Sequence, residues 1–145
     1  MSNPHPTDDD FAAAYGEAWT KGPEQLLSFF APEGTYTDVA MGNTYTGHSE
    51  IARFQRFMLK FAPDSIVEFG DSHTAGDRLH MEWTWTGSFA APLRLRSGEL
   101  VDATGGKFAV PGIAACRFDR TGKLTQHRDF WDLATVLDQA SVPIG

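Results

Sequence analysis

The spacing of apolar residues changes near Ser65, and this change limits the folds open to the chain. Before it, apolar side chains recur at helical spacing, as in Phe11, Tyr15 and Trp19. After it they alternate with polar ones, which predicts strands near 65–73, 78–88, 107–118 and 123–131. Helices followed by long strands are typical of α+β proteins. We therefore predict an α+β fold in which a cone-shaped, curved antiparallel sheet wraps around about three helices and leaves an internal pocket.

Turn and capping residues predict the ends of the other elements. The first helix is predicted to end at about Lys21, and Gly22-Pro23 to open a second one whose apolar stripe continues to Phe30. The remaining predictions are a strand over 34–38, a turn-rich link over 41–47, a helix capped by Ser49, a lid or extended hairpin over 89–106, and a short last helix over 132–139.

Length and charge restrict the class of protein. The 145 residues suffice for one domain, which we place at 10–140 between a disordered N-terminal tail, 1–9, and a C-terminal tail, 141–145. The polar start lacks a signal-peptide pattern, and no apolar run is long enough for a membrane span. Cys116 is the single cysteine, so a reducing, cytoplasmic setting is expected. The net charge of -7 argues against nucleic acid or a membrane as partner.

The closing strand carries charge where an apolar strand is expected. Alternation over 123–131 places His127, Asp129 and Trp131 on one face and Arg128 on the other. A buried carboxylate must be hydrogen-bonded, neutralised or used in proton transfer. Asp129 is therefore the first catalytic candidate, with His127 beside it. An Asp129→Asn variant is predicted to lose turnover with little change in thermal unfolding.

Aromatic residues suggest an apolar ligand. Eleven Phe, four Trp and three Tyr indicate either a pocket for a flat apolar molecule or simply a Phe-rich core. In the strand near 78–88, Glu82 lies on one face and Trp83 and Trp85 lie on the other. If the face of Glu82 is inside, it supplies a further proton-transfer group. If the tryptophans are inside, they form a wall on which an aromatic ligand can stack; if they point outward, they form an apolar patch for a dimer.

Several segments together resemble a known superfamily. They are Tyr15-x3-Trp19, Leu27-Ser-Phe-Phe-Ala-Pro-Glu-Gly-Thr-Tyr-Thr-Asp38, Gly47-His-Ser-Glu-Ile51 and Gly122-Lys-Leu-Thr-Gln-His-Arg-Asp-Phe-Trp-Asp132. Over about 10–140 the chain is similar to the nuclear transport factor 2-like superfamily, and most to its SnoaL-like polyketide cyclases. The resemblance implies a cystatin-like α+β barrel and a homodimer. The superfamily contains enzymes, binding modules and assembly proteins, so it leaves the function open.

Three enzyme branches of the superfamily imply different roles for the same residues. In the cyclases the aspartate at the place of Asp129 is the acid and base, and a histidine stands where this chain has Ala114. In the limonene-epoxide-hydrolase branch the matching residues are Asp129, Tyr36 and Asp38, with Glu82 the only substitute for the acid that protonates the epoxide.

The steroid isomerase branch implies a different base. Asp38 matches its general base and Tyr15 its oxyanion-hole tyrosine, while Ala114 replaces the protonated aspartate. The steroid isomerase is a well-known case in which the surroundings tune the pKa values of carboxyl groups.

Taken together, these residues predict a cofactor-independent enzyme that moves protons on an apolar small molecule. Isomerisation or intramolecular aldol-type cyclisation is favoured, with Asp129, Asp38, Tyr15 and His127 as catalytic candidates. The expected substrate contacts are Tyr36, Glu82, Trp83, Trp85, Trp131 and Ala114. No metal site is expected, because the histidines lack ligand spacing. The alternatives are epoxide hydrolysis and a non-catalytic ligand-binding or assembly module.

Overall fold

The computed structural model describes residues 3–142. Within that range the helices are α1 (Phe11–Ala18), α2 (Pro23–Leu27), α3 (Gly47–Phe61) and α4 (Leu133–Gln139). The strands are β1 (Phe30–Asp38), β2 (Asn43–Thr46), β3 (Ile66–Phe69), β4 (His73–Ala75), β5 (Arg78–Ser88), β6 (Leu93–Arg94), β7 (Leu100–Val101), β8 (Lys107–Phe118) and β9 (Leu124–Trp131). None of the helices in residues 3–142 has the length and hydropathy needed to cross a membrane.

A curved, open sheet packs on the helices, which confirms the α+β prediction. The strand order is β2-β1-β9-β8-β5-β3, with β4 also pairing with β5. Because β2 and β3 form two free edges, the sheet is an open cone, as predicted, and does not close on itself. The sheet is also not wholly antiparallel: β1 runs parallel to β9.

The amphipathic helix α3 covers the open side of the sheet. Ile51, Phe54, Met58 and Phe61 are buried at intervals of three and four residues, so one stripe of the helix faces the core. Next to this stripe, the buried Gln55 amide donates to the backbone carbonyls at the C-terminal end of α1, at 3.0 to 3.3 Å. Those carbonyls lack partners within their own helix, and Gln55 therefore ties α1 to α3.

Several predicted boundaries are wrong by a few residues. Helix α3 begins at Gly47 with Thr46 before it, so Ser49 lies inside the helix and does not cap it. Helix α2 ends at Leu27, because Phe30 already belongs to β1. The predicted link over 41–47 contains β2, whose residues pair with the end of β1. The segment 89–106 is the predicted extended hairpin, made by β6 and β7.

The N-terminal segment is packed and is not the disordered tail that we predicted. The His5 ring meets the Phe118 ring edge-on with centroids 5.4 Å apart. The Asn3 amide donates to the Ser28 hydroxyl at 2.8 Å. At the other end Val142 is buried, while Met1, Ser2 and residues 143–145 lie outside the described residues.

One face of β5 is buried and the other is exposed, which decides which of its side chains line the interior. Met81 and Trp83 are buried, whereas Glu82 is exposed on the outer face. The tryptophans therefore point inward, and they do not supply an outer patch for a dimer. The exposed apolar residues of the outer face are instead Ile66, Ile113 and Phe130. Homodimerisation remains a prediction.

Candidate active site

An apolar cavity of about 630 Å³, including its open mouth, lies between the inner face of the sheet and α3. Its walls are mainly aromatic, and two carboxylates are the acidic groups in them. The lining residues are Trp19, Tyr36, Asp38, Met41, Phe54, Phe57, Met58, Phe61, Val67, Phe69, Trp83, Trp85, Leu93, Asp129 and Trp131. A space of this size and polarity suits a small apolar ligand.

The parallel pairing of β1 with β9 brings the two carboxylates together. Asp38 stands opposite Asp129, and Tyr36 stands opposite His127. Residues paired in register in neighbouring strands project to the same face of a sheet, so all four side chains enter the interior. This juxtaposition joins residues that are 91 positions apart in the chain.

The carboxylate of Asp129 has three hydrogen-bond partners. Its Oδ1 accepts from Trp83 Nε1 at 2.9 Å and from His127 Nε2 at 2.6 Å, and its Oδ2 accepts from the Tyr36 hydroxyl at 2.5 Å. Burial, with the charges of Asp129 and Asp38, raises the pKa of Tyr36 well above 10, so this hydroxyl remains a donor. Only 9% of Asp129 is exposed.

His127 forms a buried ion pair with Asp129. Burial lowers its pKa, but the charge of Asp129, with contributions from Cys116 and from the hydrogen bond to Asp129, outweighs burial and raises the pKa to about 10. The ring is therefore an imidazolium at neutral pH, with both nitrogens donating. Its Nδ1 lies 2.7 Å from the Tyr15 hydroxyl, which is its second partner.

Asp38 has a different environment from Asp129. Its Oδ1 accepts from the Trp131 indole at 2.8 Å and from the Met41 backbone N–H at 3.3 Å. Burial raises its pKa to about 6; the bonds from Trp131 and Met41 oppose the rise, and the charge of Asp129 adds to it. Oδ2 of Asp38 accepts no hydrogen bond from residues 3–142. Asp38 can thus gain or lose a proton near neutral pH, which favours a role as general base.

Trp83 reaches Asp129 only because residue 112 has no side chain. Strand β8 lies between β5 and β9, and Gly112 of β8 pairs with Trp83 on one side and Trp131 on the other. The Trp83 indole crosses β8 over this glycine. A Cβ at residue 112 would collide with the ring. Gly112 is a positioning residue that our sequence analysis missed.

Gly112→Ala is expected to push the Trp83 indole away from Asp129. Overpacking of this kind costs about 1–3 kcal/mol of stability. The indole N–H signal of Trp83 in a proton–nitrogen NMR spectrum should shift or broaden. Gly70→Ala is the control, because a Cβ there meets only the Glu82 carbonyl oxygen at 3.5 Å. An unchanged Trp83 signal in Gly112→Ala would contradict the inferred role.

The structure places the predicted site residues in three groups. Asp38, Asp129, Tyr36, Trp83, Trp85 and Trp131 line the cavity. His127 and Tyr15 lie behind Asp129, fully buried, and Ala114 is buried in register with Asp129 and outside the cavity lining. Glu82 points to solvent, so its prediction as a substrate contact is wrong. It cannot supply the missing acid for epoxide hydrolysis in this cavity.

No metal cluster was found in the described part of the chain. Among residues 3–142 no group of three or more His, Cys, Asp or Glu side chains is arranged to hold a metal ion. Tyr36, Trp83, Trp131 and the two aspartates are hydrogen-bonded at the cavity wall, whereas Trp19 Nε1 and Oδ2 of Asp38 have no partner among residues 3–142. Proton transfer is the chemistry that these side chains themselves offer.

Solved structures share this fold over nearly the whole chain. A protein of ketosteroid isomerase-like fold from Catenulispora acidiphila, crystallised with trimethylamine, is 27% identical, covers 98% of this chain and 96% of its own, and superposes with a TM-score of 0.76. A provisionally named SnoaL-like polyketide cyclase from Jannaschia sp. CCS1 is 20% identical over 90% of this chain and 88% of its own, with a TM-score of 0.74. TsrD from Streptomyces laurentii is 24% identical over 92% and 90%, with a TM-score of 0.71.

The sequence comparison gives the family. No curated protein sequence matches the chain. The family described as SnoaL-like domain matches residues 11–127, a range that includes β1 and the first half of β9 and ends two residues before Asp129. The structural relatives support a nuclear transport factor 2-like fold. The chain belongs to the SnoaL-like domain family.

Proposed function

We propose that the protein is an acid–base enzyme that abstracts a proton next to a carbonyl group of an apolar small molecule. The observation that carries the proposal is the pair Asp38 and Asp129, adjacent on one wall of an apolar cavity but in unlike environments. Asp38 has a raised pKa and an oxygen without a partner. Asp129 is anchored by three donors. Two acids with different environments can divide the roles of base and acid.

In this mechanism ionised Asp38 takes the proton from the carbon next to the carbonyl. The proton that His127 and Asp129 share then passes through Asp129 to the carbonyl oxygen as negative charge develops there. In isomerisation the enol takes the proton of Asp38 at another carbon of a conjugated system. In cyclisation it attacks a second carbonyl of the same molecule, whose oxygen takes that proton. In both cases the enol hydroxyl returns its proton to the Asp129–His127 pair as the carbonyl re-forms. Both reactions share the first step and need no further reactant.

The shared step can be tested without the natural substrate. α-Tetralone, an apolar bicyclic ketone, is incubated with the protein in deuterated buffer, and proton NMR follows loss of the signal next to the carbonyl. We expect exchange above the buffer rate, falling below about pH 6 as Asp38 is protonated. Asp38→Asn should slow the protein-dependent exchange by about a hundredfold or more, as removal of a general base does.

The control is Asp71→Asn, which removes an exposed carboxylate outside the cavity lining. It should exchange at the wild-type rate. Wild-type exchange in Asp38→Asn would contradict the role of Asp38. If α-tetralone binds and no protein-dependent exchange occurs, the non-catalytic ligand-binding alternative is favoured instead.

A further inference from the structure

A second, polar chamber opens next to the apolar cavity. It has a volume of about 720 Å³, including its open mouth, and lies between the β1–β2 turn, α3 and the β6–β7 hairpin. Asp38, Met41 and Phe57 line both spaces, so the two adjoin. We call this chamber the antechamber, and Asp38 lies at its boundary with the apolar cavity.

The antechamber carries positive charge in a chain whose net charge is -7. Arg94 and Arg96 of the hairpin segment both line it. Neither forms a salt bridge with any of residues 3–142. Arg94 donates to the Gly98 carbonyl at 2.7 Å, which leaves the rest of its guanidinium available. Two guanidinium groups without carboxylate partners thus face one chamber.

The β1–β2 turn makes room for Arg96. Gly42 has a φ of +76°, a conformation that side chains rarely adopt, and a Cβ there would lie 2.6 Å from Arg96 Nε. The Arg96 side chain therefore packs against the turn. Nearby, Arg53 of α3 lies 5.9 Å from the ring centroid of Tyr45, another residue of the antechamber. Cations thus approach the antechamber from two separate elements.

The charge distribution fixes the orientation of a bound anion. The inner wall holds Asp129 and, above pH 6, an ionised Asp38, and both repel a second carboxylate. The arginines attract one, because a guanidinium fork matches a carboxylate in shape and donates two parallel hydrogen bonds. An amphipathic acid would therefore enter with its apolar body first.

We propose that the substrate is an apolar molecule with an anionic substituent, a carboxylate, that pairs with Arg94 and Arg96 while its apolar body fills the cavity beside Asp38. That the bound molecule is a substrate rests on the proposed function. The pairing itself is a statement about binding, and it can be tested without turnover.

Two fluorescent probes with a common aromatic body provide the test. Anilinonaphthalenesulfonate carries an anionic group, and phenylnaphthylamine is its neutral counterpart. We expect the double variant Arg94→Gln/Arg96→Gln to bind the anionic probe at least about tenfold more weakly, since charged hydrogen bonds are lost. Binding of the neutral probe should change less than twofold. Arg78→Gln/Arg120→Gln, an equal charge change at two exposed positions outside the antechamber, should leave both affinities unchanged.

Salt gives a second measurement on the unaltered protein. The affinity for the anionic probe should fall as ionic strength rises, and that for the neutral probe should not. Equal losses for both probes in the double variant, no loss for either, or no binding of the anionic probe to the wild type would overturn the proposal. Thermal unfolding of each variant excludes misfolding as the cause of a loss.

The outcome is independent of the proposed reaction. Asp38→Asn should slow exchange by about a hundredfold or more yet bind the anionic probe at least as tightly as the wild type, because it removes a repelling charge. Failure of the exchange experiment with intact probe selectivity would refute the reaction alone. Loss of probe selectivity with intact exchange would refute the carboxylate site alone.

Discussion

Asp129→Asn is expected to lower the free energy of unfolding by about 3–5 kcal/mol, the usual result when one partner of a buried ion pair is removed. The substitution leaves the His127 imidazolium without its counter-ion in a fully buried position. It also replaces one acceptor oxygen with an amide N–H₂ group, which faces either the Tyr36 donor or the Trp83 and His127 donors. Our sequence-based expectation of nearly unchanged unfolding is therefore replaced by a large loss, measurable by urea titration at pH 7.

The pH dependence of the free energy of unfolding distinguishes a loss of the ion pair from a loss of packing. The folded-state pKa of His127, about 10, lies above its unfolded value of 6.5. Its stabilisation is therefore complete below pH 6.5 and is lost as pH rises towards 10. Asp129→Asn should flatten this alkaline decline.

Two further variants serve as controls for the ion pair. Tyr36→Phe, which removes one donor from Asp129, should cost less, about 1.5–3 kcal/mol, and keep the decline. Asp129→Asn/His127→Asn should recover part of the loss, because no unpaired charge remains. Equal stability of Asp129→Asn and wild type at pH 7 would refute the ion pair.

Asp38→Asn is expected to stabilise the protein at pH 7 while removing proton abstraction. The pKa of Asp38 rises from 3.8 to about 6 on folding, so the folded state resists its ionisation. Its contribution is most favourable below pH 3.8 and is lost as pH rises through 6, the reverse of a salt-bridged carboxylate. An asparagine does not ionise, and the gain at pH 7 should be about 1–3 kcal/mol.

Thermal unfolding from pH 4 to pH 8 tests this sign. The wild type should lose stability relative to Asp38→Asn between about pH 4 and pH 6, and the difference should stay constant above that range. A variant that is less stable than the wild type at pH 7 would show that the bonds from Trp131 and Met41 matter more than burial. When a residue serves function at a cost in stability, its substitution is expected to raise stability and lower activity.

The sheet was predictable from the sequence where alternation is strict. Strand β5 has the predicted bounds, and β8 and β9 lie within a residue of theirs, because their side chains alternate between core and solvent. The same rule places His127 and Asp129 inside and Arg128 outside. It fails at the start of β9, where Leu124 is buried although strict alternation would place it on the face of Arg128. A register shift against β8 lies between Arg117 and Phe118 and breaks the alternation there.

Long-range features were not predictable in this way. Alternation cannot decide which face of β5 is inside, since Trp83 and Trp85 alternate with Glu82 and Thr84 equally well. Nor does it reveal that β1 runs parallel to β9, which depends on how distant segments meet. The role of Gly112 follows only from the path of an indole across a neighbouring strand. The one signal in the sequence was a glycine within a strand. Such a glycine indicates that another group packs closely against the backbone, but it does not say which group.

The position of β9 in the sheet also bears on how the molecule folds. Within residues 3–142, β9 is the only strand that pairs with both the β1–β2 pair and the β8–β5–β3 group. Neither group completes the cavity wall, and contacts of such large sequence separation form slowly because a long loop must close first. On the ribosome, Asp38 and Asp129 can meet only after synthesis has passed β9. Until β9 docks, Asp38 lacks both its neighbour Asp129 and its donor Trp131, so the candidate site is complete only once β9 has joined the sheet.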